Sequence, residues 1–198
     1  MSTPANGAEQ IRQLVQRSRV LGLPQRQEIG PEAQAVLLQA DRDKRLLLQA
    51  EIAALCRTSG ADPQALSELQ QQVQQLVSTT KTHLLKERPE LVQPGGALHP
   101  EHRSEACWRD CFHFLRVSCY AVAVRQPDLC DEEGMANLGR LYALMDVPID
   151  ALLMALREMR RLADLTYGPI APEQDSRTLD AALGELISNI ERHRVTSC

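Results

Sequence analysis

Ser104-Glu105-Ala106-Cys107-Trp108-Arg109-Asp110-Cys111-Phe112-His113-Phe114-Leu115-Arg116-Val117-Ser118-Cys119-Tyr120-Ala121-Val122-Ala123-Val124 is the stretch from which the fold is read. It contains no glycine or proline, and Arg125-Gln126-Pro127 ends it, which predicts a helix of about that length. Its uncharged part, Val117 to Val124, holds Ser118, Cys119 and Tyr120. That run is far short of the ~20 apolar residues a membrane span needs. Four of the chain's six aromatics fall in this stretch, Trp108, Phe112, Phe114 and Tyr120.

Outward from it, the same period repeats. A helix starting near Asp131 carries Met135, Leu138, Leu141, Tyr142 and Met145 on one stripe. Pro148 separates it from Ile149, Leu152, Leu153, Leu156, Met159 and Ala163. After the Gly168-Pro169 to Gln174 loop, a last helix from about Asp175 to His193 shows Leu179, Leu183, Leu186, Ile187 and Ile190. Upstream, Asp62 is a candidate N-cap with Pro63 at the first helical position. The helix it opens runs to about Lys86 through Leu66, Leu69, Val73, Leu76 and Val77, with Gln70, Gln71, Gln72, Gln74 and Gln75 read as its solvated face. One helical run is expected over Glu32 to about Arg57 and a shorter one over Glu9 to Leu21, the latter ended by Gly22 and Pro24. No stretch alternates with period 2. The expectation is an all-α chain of seven or eight helices packed at varied angles. It divides into a disordered start (1–8), a helical arm (9–30), a globular domain (31–194) and a tail (195–198). The arm either packs on its own domain or offers its Ile11, Leu14, Val15 and Val20 stripe to a partner.

The 198 residues carry 22 Lys+Arg against 26 Asp+Glu, a net charge of −4, which excludes a generally basic nucleic-acid binder. Arg157, Arg160 and Arg161 read as a solvated face with Glu158. No signal-peptide pattern opens the chain, so a cytoplasmic location without membrane insertion is expected. In that compartment the six cysteines are expected as reduced thiols, Cys111, Cys119 and Cys130 filling core space and Cys198 exposed in the tail. A zinc site is disfavoured because Cys111 and His113 point to different helix faces. A haem site would draw on His99, His102 or His113 and fits this surrounding less well.

On the central helix Cys107 and Asp110 share a face one turn apart, with Arg103 one turn earlier and Arg109 one position offset. Around one groove this gives a thiol, a carboxylate and two guanidinia. No nucleophile–base–orienter set accompanies Cys107, Cys111 and His113, so an enzyme is not expected.

Arg88-Pro89-Glu90-Leu91-Val92-Gln93-Pro94-Gly95-Gly96, Ala106-Cys107-Trp108-Arg109-Asp110, Leu115-Arg116, Tyr120-Ala121, Asp131-Glu132, Leu138, Tyr142 and Val147-Pro148 resemble the phycobiliproteins, the bilin-carrying antenna subunits of cyanobacteria and red algae. The resemblance implies a globin-like helical domain behind a two-helix N-terminal extension that contacts a paired subunit. It implies one linear tetrapyrrole, phycocyanobilin or a related bilin, joined by a thioether to Cys107. Asp110 would accept from its pyrrole N–H groups, Arg103 and Arg109 would pair with its propionates, and Trp108, Tyr120 and Tyr142 would restrict its rings. The partners implied are another phycobiliprotein-like subunit or a second copy, phycobilisome linkers and a bilin lyase, at a phycobilisome peripheral to the thylakoid. The roles in view are light absorption and energy transfer, or storing or carrying bilin, sensing light or regulating phycobilisome assembly. The chain also departs from the family. Arg17-Ser18-Arg19 stands where the antenna subunits have an aspartate that pairs with a partner's arginine, Ala97 follows Gly95-Gly96 where an asparagine is usual, and no second bilin cysteine lies in Ala171 to Leu179.

Overall fold

Proline and capping residues set where the helices begin. The computed structural model describes residues 4–194 and is helical throughout: α1 (Pro4–Arg17), α2 (Pro31–Arg42), α3 (Gln49–Ser59), α4 (Pro63–Glu87), α5 (Glu101–Val124), α6 (Glu132–Leu144), α7 (Ile149–Tyr167) and α8 (Glu173–Arg192), with 3-10 turns at Leu23–Gln25 and Pro89–Val92. Pro31 and Pro63 occupy first helical positions, where a missing N–H costs nothing. Asp62 accepts from the N–H groups of Gln64 and Ala65 at 2.9 Å, and Asp131 from that of Gly134 at 2.5 Å.

α5 is the centre, packed by α4 and α8 and also by α3 and α7. Its residues from Phe114 to Ala123 are all buried, so this helix has no solvated face over its second half. α7 lies against both α4 and α8, while α6 carries α1. The five described cysteines are free and buried. No helix among the described residues is long and apolar enough to cross a membrane.

Three boundaries differ from the sequence reading. The expected disorder over 1–8 does not hold for its later part, because α1 begins at Pro4; it also ends at Arg17, short of Leu21. Leu21 instead forms an antiparallel bridge with Cys130, with Gly22 N–H donating to Leu129 O and Asp131 N–H to Val20 O. Gly22 and Gly134 sit where a Cβ would run into the facing backbone of Cys130 and Arg19, so these glycines permit the close approach that lays the arm on its own chain. The expected single helix over 32–57 is two, broken after Arg42 with Lys44 at φ 53°. The break is satisfied from a distance: Gln70 donates to Leu47 O and accepts from Leu47 N–H, each at 3.0 Å. Gln70 is therefore buried, contrary to its placement on a solvated face, while Gln71, Gln74 and Gln75 are exposed. Cys198, the 195–198 tail and the first three residues lie outside the described residues.

One ion pair closes the bundle. Asp175 at the start of α8 is fully buried, accepting from Arg125 Nε at 2.7 Å and from Asp62 N–H at 2.8 Å. It ties the end of α5 and the start of α4 to α8. Arg125→Asn, which tolerates the φ of 51° at that position, strips the cation and leaves the carboxylate with one donor. Urea unfolding should show a loss of about 3 kcal/mol, the low end for breaking a buried pair; an unchanged midpoint would contradict this role.

Candidate functional site

Between the Pro89–Val92 turn, α6, the start of α7 and the end of α8 lies a cavity of about 380 Å³. Polar and apolar groups share its walls, with Leu91, Met135, Leu138, Val147, Ile149 and Ile190 forming the apolar part. Its polar members gather around it: Arg88, Asp146, Asp150, His193 and Arg194. Nε2 of His193 is buried there without a hydrogen-bond partner, so the site has an unused polar atom to offer. A Cβ on Gly139 would collide with the His193 carbonyl, so glycine at that position lets the end of α8 close over α6.

Tyr142 is the wall on the α5 side. Its hydroxyl donates to Asp110 Oδ2 at 2.8 Å. Burial pushes the Asp110 carboxyl above its ordinary range, and the Tyr142 hydrogen bond and the Arg109 charge pull it back. Burial likewise raises the Tyr142 hydroxyl, reinforced by Asp110 and then by the thiols of Cys111 and Cys107. Cys107, Asp110 and Tyr142 therefore form one group. Cys107 itself is buried at 7 % exposure and within hydrogen-bond reach of Cys111, whose thiol that contact and burial both drive upward. Cys107 and Asp110 share one face of α5, but of the three only Tyr142 lines the cavity.

The four other predicted residues separate. Arg103 reaches across to the cavity rim, donating to Ala97 O at 3.1 Å and to the Asp146 carbonyl. Arg109 is exposed and acts on Asp110 only through its charge. Trp108 does not line the cavity; it is buried in the core with its indole N–H on Ser104 Oγ at 2.9 Å. Tyr120 lies thirteen residues along α5 from Cys107, about 20 Å at 1.5 Å per residue, and its hydroxyl donates to the Arg45 carbonyl while accepting from Arg116 Nη1 at 2.6 Å. The structure therefore does not bring Trp108 or Tyr120 to this group. Sequence reasoning missed His193 and Arg194, which arrive from the far end of the chain with no local signal, and Arg88, which entered only as the first residue of a resembling run. No group of three metal-ligating side chains converges among the described residues.

A family model described as "Phycobilisome protein" matches residues 35–188. The chain is similar to the allophycocyanin alpha subunit of Picosynechococcus, 28% identical over 130 residues, covering 64% of this chain and 81% of that one. It is also similar to the allophycocyanin alpha chain of Synechocystis, 26% identical over 153 residues, covering 76% and 95%. Among solved structures, a far-red fluorescent biliprotein derived from a far-red induced allophycocyanin F subunit of Chroococcidiopsis thermalis matches with a TM-score of 0.53 at 23% identity, covering 63% of this chain and 94% of that one, which shows the fold.

The Asp110–Tyr142 pair has a definite pH signature. A carboxyl held above its ordinary 3.8 favours the protonated form in the folded state. Its contribution is greatest below 3.8 and is lost as pH rises through the folded pKa. Tyr142→Phe removes a hydrogen bond that lowers that pKa, so the loss should extend to higher pH. Asp110→Asn should abolish it. Urea midpoints measured from acid to neutral pH give the comparison, and identical profiles for wild type and Tyr142→Phe would refute the coupling.

Proposed function

The chain belongs to the phycobilisome protein family, and on that premise we propose that it carries one linear tetrapyrrole, phycocyanobilin or a related bilin, in the 380 Å³ cavity with a thioether to Cys107. The observation that carries this reading is Tyr142: it walls the cavity and holds Asp110, one turn from Cys107, on its other side. When bound, such a pigment supplies visible absorption and energy transfer. Phycobiliproteins are pigment carriers rather than enzymes, so the family assigns this chain no reaction on a substrate.

Cys107 would supply the sulfur of the thioether, its S–H adding across the exocyclic double bond of a terminal ring when the pigment is bound. The thiolate is the reacting form. Because Cys107 is buried, attachment requires this wall to be open, and a bilin lyase is the partner suited to hold it so. Asp110 accepts from pyrrole N–H groups and favours a cationic pigment, since a carboxylate in low dielectric stabilises a nearby positive charge. Arg103 and Arg109, with Arg88 at the cavity, are the cations for the propionates. The apolar part of the walls restricts ring rotation, so that excitation leaves as light or by transfer instead of heat. Trp108 and Tyr120, committed elsewhere, take no part.

The partner is another phycobiliprotein-like subunit or a second copy, at a phycobilisome with its linkers on the thylakoid surface. A second reading, a bilin-storing, light-sensing or assembly-regulating paralogue, is favoured by one observation. The arm that pairs subunits in the family lies here on α6 of its own chain, with arginines where the pairing aspartate belongs.

Expression with a bilin-producing pathway tests the cavity. Wild type should be coloured, and Ala143→Trp, which fills the cavity from α6, should lose about ten-fold or more of the visible absorbance per mole with its helical circular dichroism unchanged. Full colour in Ala143→Trp would overturn the assignment.

A further inference from the structure

Behind Tyr142 lies a second cavity, about 140 Å³, at the junction of the arm with α2, α5 and α6. Leu138 and Tyr142 are common to both cavities. Three of the residues lining the second keep a buried polar atom without a partner: Ser18 Oγ, His113 Nδ1 and Arg116 Nε. Arg116 is 1 % exposed; Nη2 donates to Asp41 at 2.7 Å and Nη1 to Tyr120, leaving Nε unused. Buried donors are nearly always satisfied, and a cluster of exceptions on one wall calls for an occupant. A single water needs only about 10–15 Å³ of such space, so the cavity has room for more than one.

Three cations and two carboxylates line it, and Arg19 is also 3.6 Å from Asp131. Arg19, Lys44 and Arg116 line it against Asp41 and Asp110, and burial pushes Asp110 toward its neutral form. Asp41 is itself shared, 2.7 Å from Arg116 and 3.3 Å from Lys44. His113 reports the resulting field. Burial first, then Arg116, Lys44 and Arg109, hold its imidazole down at about 4, and Asp41 opposes them. Arg19 from the arm and Tyr142 from α6 complete the groups around the cavity. Lys44 owes its place to the left-handed turn that breaks the expected 32–57 helix.

We propose that this second cavity binds a small oxyanion, phosphate or a carboxylate of similar size, between Lys44, His113 and Arg116. This does not rest on the bilin reading, because the site is complete in the pigment-free chain. A bound anion offsets the cations and gives His113 a reason to protonate, so proton and anion bind cooperatively. Each unit of rise in the His113 pKa corresponds to ten-fold tighter binding to the protonated form.

The test uses the full pigment-free chain. Long-range ¹H–¹⁵N imidazole spectra, with His113 assigned through His113→Gln, are titrated with pH in chloride and in inorganic phosphate. The His113 midpoint should rise from about 4 by at least one unit in saturating phosphate and not in chloride. Lys44→Asn, at an exposed position where asparagine tolerates φ 53°, should weaken phosphate about ten-fold with the fold retained. Ser18→Ala should weaken it less. The oxyanion chemistry is shared by a bilin propionate from the neighbouring cavity, so the titration is repeated on pigment-loaded protein. A midpoint that moves only there would make this a propionate pocket and overturn the free-anion proposal. No movement in phosphate, or the same movement in Lys44→Asn, would overturn it as well.

Discussion

The hydrogen bond from Tyr142 to Asp110 is the contact on which the functional architecture depends. It joins the central helix α5 to α6, and Tyr142 lines both the larger cavity, among α6, α7 and α8, and the smaller one, beside the arm, α2 and α5. It also decides the electrostatics of both. Burial raises the Asp110 carboxyl above its ordinary range, while the Tyr142 donor and the Arg109 charge pull it back. An ionised Asp110 suits a cationic pigment, whereas a neutral one makes the smaller cavity more positive.

The helical class was legible because each stripe repeats with period 3.6 and because Asp62, Pro63 and Asp131 mark starts by chemistry that acts within a few residues. The break after Arg42 was not. Leu47, Leu48, Ile52 and Leu55 keep helical spacing with Val36 and Leu37, and the side chain that satisfies the broken backbone, Gln70, comes from another helix. Where the arm lies was equally non-local: it turns on two glycines, Gly22 and Gly134, each meeting backbone more than a hundred residues away.

The site was half legible. Spacing along one helix placed Cys107 and Asp110 together, and the family resemblance supplied Tyr142. The crowding of aromatics in sequence was misleading, because a helix spreads neighbours along its axis and around its faces. Trp108 and Tyr120 end about 18 Å apart along α5, one bonded to Ser104 and the other locked between Arg45 and Arg116. His193 and Arg194 close the larger cavity from the end of α8, a tertiary effect that no local pattern carries. The family model matching residues 35–188 secures the family.

The central claim is a covalent pigment on one named sulfur. The most direct measurement is the zinc-enhanced fluorescence and intact mass of denatured protein, for wild type and Cys107→Ala, after expression with a bilin-producing pathway and lyases. The account predicts one bilin per chain in wild type and none covalently held in Cys107→Ala. Pigment still attached in Cys107→Ala, or a colourless wild type, would contradict it.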